Sequence, residues 1–216
     1  MKRCCFKRVN REFVVQDGYV LKEETHLTVL KTSLFFPGDG FTAYDCKGQL
    51  VFRVDSYGPY TRDKDEVVLM DPRGRCLLTL CRKRPSLHQR WEGFKGERKD
   101  SDKAKFSVKR SSIIGRPQTS VMVEVYDNSG VEYRIEGCFS QRCCKVFNID
   151  KKEPMVEICR KVDPTTSVML GKEVFSLCVK RGFDMAFAMG LILVLDQING
   201  ESYFNNEIVE AIVHPL

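Results

Sequence analysis

The 216-residue sequence predicts a mainly β fold, a single closed antiparallel β-barrel enclosing one hydrophobic C-terminal α-helix, and three observations lead there. Apolar residues make up 43% and charged residues 30%, the balance of a soluble globular domain rather than of a disordered chain. Hairpins of one design, built as strand, Asp-x-x-Gly turn, strand, recur along the chain. Near the C-terminus ten consecutive residues carry no polar side chain and need a shell around them. This length suits one full-sized domain, so a flexible basic tail over residues 1–18 is expected to lead into a barrel domain over 19–216.

The strand series opens with Leu27–Phe36 and stops at the turn cluster Pro37-Gly38-Asp39-Gly40. Phe41–Tyr44, the turn Asp45-Cys46-Lys47-Gly48, and Gln49–Val54 form the first hairpin. The aspartate side chain caps the turn and the glycine takes its positive φ. The unit returns as Val67–Met70, Asp71-Pro72-Arg73-Gly74 and Cys76–Leu80. It returns again as Val121–Tyr126, Asp127-Asn128-Ser129-Gly130 and Val131–Glu136, whose last strand alternates apolar and charged residues. A degenerate copy joins Val146–Ile149 to Met155–Ile158 through Asp150–Glu153, and further strands are expected over Lys105–Lys109, Gly137–Cys144 and Glu173–Val179. The irregular spacing of Asp45, Asp71, Asp127 and Asp150 excludes a solenoid and fits a meander.

Ala186–Leu195 is apolar throughout and is bracketed by Asp184 and Asp196, so a helix is expected over about 183–198, with Asp184 as N-cap and Asn199-Gly200 as its stop. A helix without a polar face must be surrounded by lipid or by protein. Crossing a bilayer takes about 20 apolar residues, so no transmembrane span is expected and the sheet must close around the helix, which also removes strand edges.

Ten cysteines in a chain of this length fall short of a disulfide scaffold. Met1–Arg8 lacks the apolar stretch of a signal peptide, and no Asn-x-Ser/Thr acceptor occurs, so a reducing, cytoplasmic setting is expected. Zinc is not expected, because Cys76/Cys81 and Cys138/Cys143 are five apart and face opposite sides of a strand unless the strand bends. Cys4 and Cys5 lie in a basic end, beside Lys2, Arg3, Lys7 and Arg8. They are candidates for S-acylation backed by an electrostatic membrane signal; the alternative is two ordinary thiols on a tail.

No Gly-x4-Gly-Lys-Ser/Thr, Gly-x-Ser-x-Gly or His-Glu-x-x-His occurs. The Gly38–Ala43 stretch mimics a dinucleotide fingerprint but precedes a strand, and His88 reads as an ordinary strand histidine. No catalytic, cofactor-binding or metal-binding residue is assigned, and an enzyme is not expected. The net charge of +6 is modest, but it is uneven: Arg73–Arg116 holds fourteen basic and four acidic residues, leaving −4 for the remainder. Within it Arg82, Lys83, Arg84, Lys109 and Arg110 sit at strand ends and are candidates for binding an anionic lipid headgroup. The alternative is a solvated basic face that protects strand edges. Nucleic acid is the disfavoured polyanion, since only Trp91, Phe94 and Phe106 could stack on bases.

The hairpins with Asp-x-x-Gly turns, followed by Val174–Leu191 with its Phe183-Asp184-Met185-Ala186-Phe187-Ala188-Met189-Gly190 entry and then Val194–Ile198, resemble the LURP-one-related family of plant proteins. The likeness runs over roughly Tyr19–Asn199. It implies kinship with the tubby C-terminal domain and the phospholipid scramblases, whose barrels have about twelve strands around a C-terminal helix. It also implies phosphoinositide binding among the tubby relatives and a link to pathogen defence through one founding member, and it carries no catalytic residues across. The resulting expectation is a non-enzymatic protein docked peripherally on anionic membranes; the alternative is a scaffold that binds a protein partner through the barrel.

Overall fold

The structure is a computed structural model that describes residues 15, 17–34, 40–55, 65–111, 120–126 and 130–213, with side chains described as far as residue 200. Twelve strands follow one another: β1 Thr25–Leu30, β2 Phe41–Tyr44, β3 Leu50–Val54, β4 Glu66–Met70, β5 Cys76–Arg82, β6 Trp91–Lys95, β7 Phe106–Arg110, β8 Val121–Val125, β9 Glu132–Cys138, β10 Cys143–Asn148, β11 Pro154–Arg160 and β12 Val174–Val179. Each pairs antiparallel with its chain neighbours, and β12 pairs with β1 from Thr25↔Val179 to Leu30↔Val174 to close the barrel. The meander expected from the sequence is therefore present and complete.

The turns show why these hairpins form. In the β2–β3 turn Asp45 Oδ1 accepts from the N–H groups of Lys47 and Gln49, both at 2.8 Å, and Gly48 stands at φ 73°. Asp71 does the same for Arg73 and Arg75 at 2.9 Å, with Gly74 at φ 85°. Asp127–Ser129 lie outside the described residues. The fourth turn differs from expectation, because its capping side chain is Asn148, two residues before Asp150. Asn148 Oδ1 accepts from Asp150 and Lys151, and Lys152 takes the positive φ of 57°.

Four further differences have local causes. The first strand ends at Leu30 rather than running to Phe36: Lys31 N–H donates to the Glu173 carbonyl, after which the chain leaves the sheet. Gly137–Cys144 is not one strand but a corner, in which Phe139–Gln141 form a 3-10 turn and Arg142 adopts the left-handed conformation. Strand β6 begins only at Trp91, so His88, read as a strand histidine, lies instead in a turn of the β5–β6 connection. The tail assigned to residues 1–18 is already anchored at Val15, which is 1% exposed.

Helix α1, Met185–Val213, fills the barrel. Its N-terminus is as expected: Asp184 Oδ1 accepts from Phe187 N–H at 2.9 Å, and its carbonyl accepts the first helical bond from Ala188. Every residue from Phe183 to Leu195 is buried. The eleven from Met185 span about 16 Å, close to the height of a barrel whose four- to seven-residue strands tilt by about 40°. The helix does not stop at Asn199-Gly200. Asn199 Nδ2 instead donates to the Leu195 carbonyl at 2.7 Å, and the helix continues past the rim.

Packing follows the alternation of β1, β8, β9 and β12, whereas β5 is buried on both faces from Leu77 to Cys81. Phe52, Leu69, Leu78, Leu80, Phe106, Tyr133, Phe175 and Leu177 point inward and are fully buried. Phe187 meets the Phe106 and Tyr133 rings edge-on at 4.9 and 5.8 Å. Among the described residues, no helix is long and apolar enough to cross a membrane.

Candidate functional site

In an up-and-down barrel the connections that follow odd-numbered strands share one end, and those that follow even-numbered strands share the other. Helix α1 follows β12, so it enters at the even end and emerges at the odd one. Exposure agrees, rising from Asp196 onward. The odd end is therefore a rim formed by the connections β1–β2, β5–β6, β9–β10 and β11–β12 around the emerging helix, with the ends of β7 and β8 beside them.

All five lipid-binding candidates gather at this rim. Arg82 pairs with Trp91, Trp91 with Val108, and Arg110 with Val121, which sets the ends of β5 and β7 one strand apart. The β5–β6 connection is drawn across them by Lys83 N–H to Arg90 O at 2.8 Å and Arg110 N–H to His88 O at 3.0 Å. Ser86 Oγ organises the loop by accepting from His88 and Arg90 N–H, and Gln89 takes φ 48°. This holds Leu87 outward at the tip, 81% exposed and flanked by exposed Lys83 and Arg84.

The charge of this rim is smaller than the linear count implies, for two reasons. The basic run is divided between the two ends of the barrel: Arg73 and Arg75 lie in the β4–β5 turn, and Lys95–Lys105 leave from the even end. Acids from outside the run also fold against it. Arg84 reaches Asp65 through Nε and Nη2 at 3.1 and 2.8 Å, and Lys109 pairs with Glu124. Within the run, Glu92 takes Lys83 at 3.5 Å and Arg90 at 3.7 Å, while Arg110 Nη1 donates to Gln89 Oε1 at 3.1 Å. Such half-exposed pairs contribute little to stability, but they lower the local field.

The apolar part of the rim is what the sequence reading missed. Seven large hydrophobic side chains are exposed among the described residues, and five of them, Leu34, Leu87, Val162, Val168 and Met169, lie on odd-end connections. Val162 and Met169 face each other through an isolated antiparallel bridge in the β11–β12 connection. In sequence Leu87 and Val162 are lone apolar residues and Leu34 and Val168-Met169 belong to short apolar runs, signals that mean nothing until topology places the loops together.

Polar groups seat the helix where it leaves. Arg142 is 5% exposed, with its guanidinium 4.3 Å from the Phe139 ring and 4.5 Å from the Phe175 ring, and its Nε donates to Lys172 O at 2.8 Å. Asp196 pairs with Lys31 at 3.2 Å, yet burial holds its carboxyl above the usual carboxylate range.

The remaining candidates fall elsewhere. Cys4 and Cys5 lie outside the described residues. Cys76 and Cys81 stand near opposite ends of β5, one beside Thr79 and the other between Glu66 and Arg98. Cys138 and Cys143 do face each other, because the β9–β10 corner supplies the bend that would bring such a pair together, and both are free thiols.

Comparison with known proteins covers nearly the whole barrel. The LURP-one-related family model matches residues 25–196. The chain is 63% identical over 204 residues to Protein LURP-one-related 5 of Arabidopsis thaliana, covering 94% of this chain and 95% of that protein. It is 59% identical over 210 residues to Protein LURP-one-related 12 of the same plant, covering 97% and 93%. An X-ray structure of an Arabidopsis thaliana protein superposes with a TM-score of 0.62 at 22% identity, over 87% of this chain and 98% of that one, and supports the fold.

Proposed function

The chain belongs to the LURP-one-related family, and from that premise we propose that it is a binding module in defence signalling, not an enzyme, which docks reversibly on anionic membranes through the odd-end rim. One observation carries this reading: among the described residues, five of the seven exposed large hydrophobic side chains share that rim with Arg82, Lys83, Arg84, Lys109 and Arg110. An apolar tip flanked by cations suits the bilayer interface, where Leu87 enters the acyl boundary and the basic side chains meet phosphate. Each basic residue near an anionic surface adds on the order of 1 kcal/mol, so a cluster with several carboxylate partners gives weak, salt-sensitive attachment.

A second reading has its own support. The pairing of Lys83, Arg84 and Lys109 with carboxylates lowers the net charge of a rim that also exposes apolar side chains, as suits a protein partner. Co-flotation with liposomes separates the two. Docking predicts flotation that needs anionic lipid or phosphoinositide, weakens with salt, and falls in both Leu87→Asp and the triple change of Arg82, Lys83 and Arg84 to Glu. Absence of flotation with every lipid at low salt overturns docking and leaves the partner reading.

A further inference from the structure

The seam that closes the barrel carries a group of donors unrelated to the rim. His26 on β1 and Cys178 on β12 are paired across the seam, and their neighbours Leu27 and Leu177 are buried in the core, so both donors face outward. Glu24 lies two residues before His26 and returns to the same face, with its Oε1 3.2 Å from His26 Nε2. One donor atom from each of the three residues lies within 4.8 Å of the others.

We propose that Glu24, His26 and Cys178 form a binding site for a divalent cation of zinc type, clamping the first strand of the barrel to the last. An imidazole nitrogen, a thiolate and a carboxylate oxygen together suit zinc among the common divalent ions. The geometry needs little adjustment. Two ligands about 2.0 Å from a tetrahedral ion stand about 3.3 Å apart, close to the Glu24–His26 separation of 3.2 Å, and the Cys178 side chain, within 4.8 Å of both, has at most about an ångström to close. The two oxygens of Glu24 already have different tasks: Oε2 accepts from Lys180 Nζ at 2.6 Å, which leaves Oε1 for the ion. Lys180 then acts as an orienting partner of a ligand. On the far side of Cys178, Glu157 is its register partner but is held by Lys145 at 3.3 Å, so three protein ligands and one water complete the shell.

The step is a ligand exchange without redox change. The Cys178 thiol gives its proton to solvent as its sulfur bonds the ion, and water leaves the ion's hydration shell. Burial and the adjacent Glu24 push that thiol up to about 11, so the ion-free site is a protonated one. Sequence spacing could not show this site, because its ligands lie on or beside the first and last strands, far apart along the chain, and meet only through the seam.

The test is titration of the full chain, kept reduced, with cobalt(II) followed by absorption and with zinc(II) followed by calorimetry. The expected result is one equivalent of cobalt(II) with a thiolate-to-metal charge-transfer band, together with a zinc-dependent rise in Tm of a few degrees. The band should disappear in Cys178→Ser, and zinc affinity should fall by about tenfold or more in His26→Gln. Circular dichroism of the metal-free variants must match the parent, and Glu24→Gln, a change outside the paired strands, serves if either variant is unfolded. No binding at micromolar metal overturns the proposal. So does a charge-transfer band that persists in Cys178→Ser, since it would place the ion on another thiol such as Cys46, Cys143 or Cys159.

Discussion

Asp184 Oδ2 accepts a hydrogen bond at 2.7 Å from the backbone N–H of Val15, a residue 169 positions earlier in the chain. The other oxygen caps α1 through Phe187, and the residue has no exposed surface. One carboxylate therefore starts the central helix and fastens the segment that precedes the barrel. Asp184→Ala removes both bonds and leaves two buried N–H groups without acceptors. The expected loss is about 2–4 kcal/mol in a denaturant melt, with Asp184→Asn recovering part of it.

Gly93 is the place where the wall meets the core. A Cβ there would stand 2.1 Å from Phe106 Cζ, and that ring packs on Phe187 of the helix. Gly93→Ala should cost about 3 kcal/mol by overpacking, and Gly93→Ala combined with Phe106→Leu should cost less than the two single changes added together. Additivity in chemical denaturation would show that the ring does not impose the glycine.

Asp196 gives stability a pH dependence of unusual sign for a carboxylate. Burial raises its folded-state pKa despite the Lys31 pair. Its contribution is therefore complete at pH below the unfolded value of about 3.9 and is lost as pH rises through the folded value. Asp196→Asn should raise Tm at pH 7, and the difference should shrink as pH falls toward 4. A variant less stable at pH 7 would mean that the Lys31 pair outweighs burial.

Thiol chemistry should sort by environment. Burial pushes the Cys144 thiol up to about 12, whereas Cys46 is exposed in the β2–β3 turn. Timed alkylation at pH 8 followed by peptide mapping should modify Cys46 readily and leave Cys144 unmodified until the barrel unfolds.

The hairpins were legible because each turn states its own chemistry: Asp45 with Gly48, and Asp71 with Gly74, are complete local instructions. The features that were not legible depend on distant partners. Gly93 breaks the pattern of β6 when read alone, yet the ring of Phe106 requires it. Gly137 reads as a strand residue, but at φ 113° with Cys143 O 2.2 Å from where a Cβ would lie, it is the pivot of a corner. The five basic candidates were legible as residues and not as a field, since Asp65 and Glu124 reach them only through the fold. The apolar half of the rim depends on strand parity, which no window of sequence contains.

The order of elements along the chain also governs how the protein is made. The strands supply the wall, and α1, the filling, follows all twelve. On a ribosome adding about 5–20 residues each second, the inner faces of the growing sheet wait roughly ten to thirty seconds between β1 and the helix that covers them. Until Met185 and its successors emerge and β12 finds β1, the nascent sheet has open edges and one uncovered apolar face, the combination that invites aggregation. Productive synthesis thus depends on shielding late in translation, and a chain broken off before α1 should be a client for chaperones and proteases instead of a smaller barrel.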